Sequence, residues 1–185
     1  MTTRYDFSAE LSLIADEHLR SLVHDYMMEA VPSYFWEIGA SSSGKYHPCF
    51  SQGEGGLVRH TRAVVMFLDE LMRMSGNAYM KQSYKDFAYA AAIMHDTCKY
   101  GAREYDKTQY KAHDVVAADH FAEYCAERGE VAPELLLMAM RSHMGQWASD
   151  PSCKPFTNID RVVHMADYMA SRSFIDIPSL HEVEG

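Results

Sequence analysis

A histidine and an aspartate stand side by side at the end of an apolar segment, YAAAIMHDTCKYG, residues 89–101. His95 and Asp96 follow a run of small and apolar residues of the kind that fills the inside of a helix, and Lys99 comes three residues after Asp96. A buried ionised carboxylate is costly unless it is paired or bound to a metal. The segment therefore predicts a compensating positive charge beside Asp96.

Four more candidate metal ligands fall on the apolar faces of other predicted helices: His60, His113, His143 and Asp167. Imidazole and carboxylate together suit divalent ions, and helical bundles build metal sites from side chains on facing helices. A lone histidine on such a face is more often a hydrogen-bonded core residue, and Asp167 alone would more often be a salt-bridge partner. Together, four histidines and two aspartates would leave many buried polar groups without partners unless an ion is bound.

Helical spacing of apolar residues predicts the elements that carry these side chains. A Pro at the start of one segment and a Gly at the end of another mark helix limits. The predicted helices cover about 8–36, 57–74, 84–96, 113–128, 133–144 and 158–173. Residues 39–56 are rich in Gly, Ser and Pro and are interpreted as a loop, as is the stretch between Gly145 and Phe156.

The fold class that follows is all-α, a compact bundle of about six or more helices, because no strand-like alternation of useful length is present. The 185 residues suit one domain. The formal net charge is −9, and no basic run typical of a nucleic-acid binder occurs. The start of the chain does not resemble a signal peptide, and no apolar stretch is long enough for a bilayer. We expect a cytoplasmic protein whose four scattered cysteines are reduced.

The sequence also resembles a known family, the HD-domain metal-dependent phosphohydrolases, over roughly residues 45–175. The resemblance depends on an ordered set of short motifs rather than on the His-Asp pair alone. They are GGLVRHT, MHDTCK, KAHDVVAADHF, SHMG and VVHMADYMASR. It implies an HD-type bundle in a single domain, 1–185, with an N-terminal helix and loop at 1–44, the core at 45–175 and a tail at 176–185.

The resemblance also implies roles for particular residues. His60, His95, Asp96 and Asp167 match the four residues of the family's first metal site. His113 and His143 match the additional histidines of subgroups that hold two ions, with Asp96 placed to bridge them, and Lys99 matches a lysine that contacts substrate phosphate.

Within the family, the motifs look most like the HD domains of bacterial 3′-to-5′ exoribonucleases. They are also similar to cyclic-dinucleotide phosphodiesterases and dinucleoside-tetraphosphate hydrolases. This chain has Met144 after His143 where the two-metal subgroups often have His-His. The appended oligonucleotide-binding domain of the exoribonucleases has no counterpart in these residues, so processive degradation of long RNA is not expected.

A divalent ion lowers the pKa of its bound water from ~16 towards ~7, and a second ion clamps the attacking and leaving oxygens of a phosphoester. We therefore expect one or two ions held by His60, His95, Asp96, His113, His143 and Asp167. Mn, Fe, Zn or Ni is favoured over Mg by so many imidazoles. The expected catalytic residues are Asp96, which orients the attacking water or accepts its proton, and Lys99, which stabilises the developing negative charge.

Several residues near these ligands keep open roles. His47 is either a substrate contact or a surface residue. His120, seven residues after His113, is either an outer-shell donor or an alternative ligand, and His164 is a candidate to orient Asp167. Trp147 and Tyr168 suit either stacking on a nucleobase or core packing, and Arg172 suits either phosphate binding or the surface.

The leading hypothesis is a hydrolase acting on a phosphoester or phosphodiester bond of a nucleotide or short oligonucleotide. One alternative is a 3′-to-5′ exonuclease or phosphodiesterase on the ends of RNA or single-stranded DNA. A second is a non-catalytic metal-containing nucleotide-binding module, and a third is an interaction protein whose histidines are core residues. We expect no membrane partner and no long duplex nucleic acid, and exposed Met and Tyr residues are compatible with a homodimer.

Overall fold

The computed structural model describes residues 4–41, 46–148 and 150–181. Within these ranges the chain forms seven α-helices and short 3-10 turns, and no strand is present. The all-α class expected from the sequence is thus confirmed. The helices are α1 Ser8–Leu11, α2 Glu17–Glu29, α3 Gly56–Arg73, α4 Gln82–Met94, α5 His113–Glu127, α6 Glu134–Ser142 and α7 Asn158–Ala170. None of the helices in the described part of the chain is long and apolar enough to cross a bilayer.

Helix α4 lies at the centre of the bundle. From Ala88 to Met94 every side chain is buried, and the helix packs against α2, α3, α6 and α7. A helix that is apolar all round belongs in the interior of a fold. Its last turn therefore delivers His95 and Asp96 to the middle of the molecule.

Two helices that contribute site residues begin with well-defined local structure. At the start of α7, the Thr157 hydroxyl accepts a hydrogen bond from the Asp160 backbone N–H, and the Asp160 carboxylate accepts one from the Thr157 N–H. This capping box fixes where α7 begins. At the start of α3, a Cβ on Gly56 would lie 2.3 Å from the Ser51 carbonyl oxygen, so only glycine fits there. These devices set the starting points of the helices that carry Asp167 and His60.

The single helix predicted over residues 8–36 is wrong. The structure has α1, a break at 12–16, α2 and then a 3-10 turn, Ser33–Trp36. At the break, the Asp86 carboxylate in α4 accepts hydrogen bonds from the backbone N–H groups of Ala15 and Asp16. Asp16 in turn caps α2 by accepting from the Leu19 N–H. The helical period continues through this segment in sequence, but these bonds hold the backbone in a turn.

The other helices match their predicted spans to within a few residues. The differences of two or three residues are at both ends of α4, which spans Gln82–Met94, and at the C-terminal ends of α6 and α7, which stop at Ser142 and Ala170. The predicted loop 39–56 contains a 3-10 turn at Cys49–Ser51, and its residues 42–45 lie outside the described part. All four cysteines are free thiols, as expected.

Candidate metal centre

Three histidines share one local arrangement. Each ring folds back so that its Nδ1 lies near the backbone carbonyl oxygen three residues earlier: His95 to Ala92 at 2.8 Å, His113 to Tyr110 at 2.5 Å and His143 to Met140 at 2.7 Å. A carbonyl oxygen only accepts, so each Nδ1 carries the proton and donates it. The Nε2 atom of a neutral ring then presents a lone pair to the centre of the bundle, which is the state required of a metal ligand.

The two oxygens of the Asp96 carboxylate face different groups of side chains. Oδ1 lies 3.0 Å from His113 Nε2 and 3.7 Å from His143 Nε2. Oδ2 lies 3.6 Å from His95 Nε2 and 3.8 Å from His60 Nε2. A carboxylate in this position can bridge two adjacent cation sites.

Asp167 completes the group on the Oδ2 side. Its Oδ1 lies 3.1 Å from His60 Nε2 and 3.8 Å from His95 Nε2. We refer to the six predicted ligands together as the His/Asp cluster: His60, His95, Asp96, His113, His143 and Asp167. Within it, the ligand atoms of His60, His95 and Asp167 lie within 4.8 Å of one another, as do those of His95, Asp96 and His143.

The polar atoms of the cluster fit divalent cations. His95 Nε2 is buried and has no hydrogen-bond partner among the residues that the structure describes. His113 Nε2 and His143 Nε2 lie 3.0 Å apart, although both rings donate through Nδ1 to backbone carbonyls. Two facing lone pairs repel unless a cation or an added proton lies between them. Burial, together with the neighbouring His95 and His113, lowers the pKa of His143 to about 3, which disfavours the proton.

Lys99 is the cation paired directly with Asp96. Its Nζ lies 2.5 Å from Asp96 Oδ2, and its side chain is 11% exposed. Burial acts to raise the pKa of Asp96, but the positive charge of Lys99 outweighs it and holds that pKa well below its usual value. Burial likewise opposes the charge on Lys99, but Asp96 outweighs it and raises the Lys99 pKa. Asp96 is therefore ionised at neutral pH, and Lys99 supplies part of the positive charge that the sequence predicted beside it.

A cavity of about 620 Å³ opens onto the cluster. Its floor includes Asp96, Lys99, His113, His143 and Asp167. The volume is within the usual range for small-molecule sites. A second cavity of about 450 Å³, between the starts of α4 and α7, contains none of these residues.

Two aromatic side chains, Trp147 and Tyr168, line the mouth of the larger cavity, and we call this pair the aromatic wall. Their ring planes are 10° from parallel, with centroids 5.6 Å apart. The Arg172 guanidinium lies 4.2 Å from the centre of the Tyr168 ring. Both rings are partly exposed, so core packing, which was one reading of the sequence, is wrong for them.

The structure also places the three histidines whose roles the sequence left open. His164 does not orient Asp167 as suggested; its Nδ1 lies 2.7 Å from the His143 backbone carbonyl oxygen, which only accepts. His120 is not part of the cluster, because its Nδ1 hydrogen-bonds the Tyr26 hydroxyl at 3.0 Å. His47 lines the cavity with its ring 5.3 Å from that of His60, so it is not a surface residue.

Sequence reasoning missed several residues of the cavity wall: Tyr46, Tyr100, Tyr110 and Ser171. Two of them had a usable signal. Tyr100 directly follows Lys99, and Tyr110 precedes His113 by three residues and supplies its carbonyl partner. Met144 lies in the cavity at the position where the family's two-metal subgroups often have a second histidine.

Comparison with known proteins gives one match. The family model described as HD domain matches residues 57–172, which include all six members of the His/Asp cluster. No curated protein and no solved structure matches the chain.

Proposed function

The chain belongs to the HD-domain family, whose members are in general metal-dependent phosphohydrolases, and on that premise we propose that it hydrolyses a phosphoester or phosphodiester bond of a nucleotide or short oligonucleotide. The observation that carries the proposal is the position of Asp96. Its two oxygens face two histidine-containing groups, and the same carboxylate lies on the floor of an open cavity. A structural ion would not require an adjoining cavity of about 620 Å³.

The six residues of the His/Asp cluster would hold one or two divalent ions, with Asp96 shared. When bound, such ions supply an activated water near neutral pH and neutralise phosphate charge. The donor set of four imidazoles and two carboxylates suits Mn, Fe, Zn or Ni better than Mg.

Asp96 and Lys99 have distinct proposed roles. Because the pKa of Asp96 is held well below its usual value, this carboxylate is a weak proton acceptor at neutral pH. It is better suited to orient the attacking water through a hydrogen bond than to remove its proton. Lys99 lies on the same floor and carries a positive charge, which is suited to a phosphate oxygen on which negative charge develops.

The proposed substrate is small. The net charge of −9 disfavours a long polyanion, and the positive groups of the cavity are few and local: Lys99 on the floor and Arg172 at the mouth. A mononucleotide or an oligomer of a few residues places one phosphate at these groups without a long basic track.

The test is hydrolysis of a substrate panel by the Mn-loaded protein. The panel contains nucleoside mono- and triphosphates, dinucleoside polyphosphates, cyclic dinucleotides and short RNA and DNA oligomers. Asp96→Asn is the inactive control, and Asp119→Asn, an exposed aspartate paired with Arg141, is the matched surface control.

We expect hydrolysis of one substrate class that is lost in Asp96→Asn and unchanged in Asp119→Asn. Release of single nucleotides from oligomer ends would instead indicate the exonuclease alternative. If no substrate is hydrolysed although the protein holds metal stoichiometrically, the result would contradict hydrolysis and favour a nucleotide-binding module. If no substrate is hydrolysed and the protein holds no metal, the result would contradict the metal centre itself.

A further inference from the structure

The aromatic wall has no role in forming the hydrophobic core. Trp147 is 49% exposed and Tyr168 is 37% exposed, and both face the cavity that contains the His/Asp cluster. Single exposed aromatic residues are common on protein surfaces. A parallel pair at the mouth of a cavity with a charged floor is a more specific feature.

The chain holds both rings close to the cluster. Tyr168 directly follows Asp167 in α7, and Trp147 comes four residues after His143. Between His143 and Trp147, Gly145 has a φ of +58°, and a Cβ on it would lie 2.1 Å from the His164 ring. The same His164 donates from Nδ1 to the His143 carbonyl oxygen at 2.7 Å. The part-buried His164 ring therefore fixes the turn that carries His143 and Trp147.

The chemistry of the cavity indicates a ligand with two unlike parts. Lys99 and the cluster on the floor suit an anion, whereas the wall offers flat π surfaces. The Arg172 guanidinium lies over one face of the Tyr168 ring and adds a planar cation that can itself stack on a base or bind a phosphate. A nucleobase stacks on aromatic side chains with little dependence on its identity, and its phosphate lies a sugar's length away.

We infer that Trp147 and Tyr168 form a stacking platform for a nucleobase, so that the site requires a nucleotide and discriminates against a sugar phosphate that lacks a base. The inference rests on the proposed function, because it assumes that the substrate phosphate lies at the His/Asp cluster. Tyr168 and Trp147 are then specificity-determining residues, and they take no part in bond cleavage. Stacking also predicts weak preference among the four bases.

The experiment uses tryptophan fluorescence, because the chain has two tryptophans and Trp36 lies away from the cavity against Phe7 and Phe35. In a Trp36→Phe protein, Trp147 is the sole reporter. The metal-loaded protein is titrated with adenosine 5′-monophosphate and separately with ribose 5-phosphate, and quenching is read by stopped flow before turnover. The two probes share sugar and phosphate and differ only in the base.

We expect saturable quenching of Trp147 by adenosine 5′-monophosphate and none by ribose 5-phosphate. Tyr168→Leu should weaken nucleotide binding by roughly 5- to 150-fold, the range for loss of one stacked base, and Tyr168→Phe should restore it. Tyr79→Leu removes an exposed tyrosine that does not line this cavity and should have no effect. Circular dichroism confirms that each variant is folded.

The outcomes separate this inference from the proposed function. Equal quenching by both probes, or unchanged affinity in Tyr168→Leu, overturns the platform. Hydrolysis of base-free and base-containing phosphates at equal rates agrees with the proposed hydrolase activity but overturns the platform. Quenching specific to the nucleotide, in a protein whose metal-loaded form hydrolyses nothing, supports the platform and contradicts the proposed hydrolysis.

Discussion

The floor and the mouth of the cavity are built differently. The His/Asp cluster is almost wholly buried, and five of its six members lie in a helix or in the residue directly after one. The aromatic wall is partly exposed, and Trp147 lies in a 3-10 turn, Gly145–Trp147. The floor combines charged and imidazole groups, whereas the wall presents flat apolar surfaces.

This difference assigns separate tasks to the two regions. Bond cleavage requires groups held to within fractions of an ångström, which helices supported by core packing provide. Recognition of a base requires a planar surface that the ligand can reach from solvent. Variants of the floor should therefore change turnover on every substrate, and variants of the wall should change only which substrates bind.

The largest expected effect is from Asp96→Asn. Loss of a residue that only supports a metal ligand typically costs 10–100-fold, so removing the shared carboxylate should lower kcat by more than roughly a hundredfold, on base-containing and base-free phosphates alike. The measurement is steady-state hydrolysis with the metal content of the protein determined in parallel.

Asp96→Asn also leaves Lys99 buried without its partner, which destabilises a fold. The double variant Asp96→Asn, Lys99→Met removes both charges and separates lost chemistry from lost folding. Activity retained in either folded variant would contradict the central role of Asp96.

The second prediction divides the floor itself. His113 faces Asp96 Oδ1, and His60 faces Asp96 Oδ2 and Asp167. If two ions bind, His113→Ala and His60→Ala should each lower the content from about two ions per chain to about one, because each removes a ligand from a different site. Elemental analysis after dialysis measures this content. An unchanged content in both variants would count against a two-ion centre.

The third prediction breaks the connection between the floor and the wall. Gly145→Ala places a Cβ into the His164 ring and imposes a positive φ on a residue with a side chain. The displaced turn should shift both His143 and Trp147, and a misplacement of about 1 Å can lower turnover roughly a hundredfold. The measurements are kcat/KM and nucleotide quenching of Trp147.

Gly129→Ala is the matched control, because Gly129 has a φ of +73° but no atom within 4 Å of its added Cβ. It should cost roughly 1–2 kcal/mol of stability without changing activity. Equal loss of activity in the two variants would attribute the effect to backbone strain rather than to the His164 contact.

The convergence of the floor residues was predictable from the sequence, and the position of the wall was not, for physical reasons. His60, His95 and Asp167 lie on helical faces with a regular period, and the cost of burying charge makes their convergence predictable from spacing alone. Trp147 lies after a left-handed glycine in a short turn, where no period operates. Its position depends on His164 in another helix.

The prediction of a single N-terminal helix failed for a related reason. Its apolar spacing is continuous across residues 12–16, but the Asp86 carboxylate bonds the backbone N–H groups of Ala15 and Asp16 from about 70 residues away in the chain. A local pattern does not contain such a partner. Long-range hydrogen bonds thus account for both the broken helix and the turn that places the wall.

The smallest expected effect is from Arg172→Gln, at the edge of the aromatic wall. The guanidinium lies 4.2 Å from the Tyr168 ring centre and donates from Nε to the Tyr168 carbonyl oxygen at 3.0 Å. An exposed cation–π contact contributes about 0.5–1 kcal/mol, so its loss should raise KM for a nucleotide by roughly 2- to 5-fold and leave kcat unchanged. Steady-state kinetics at low and high salt test this, because a phosphate contact would be screened by salt and a stacking contact would not. A fall in kcat would instead place Arg172 with the floor, among the groups that act on the reacting phosphate.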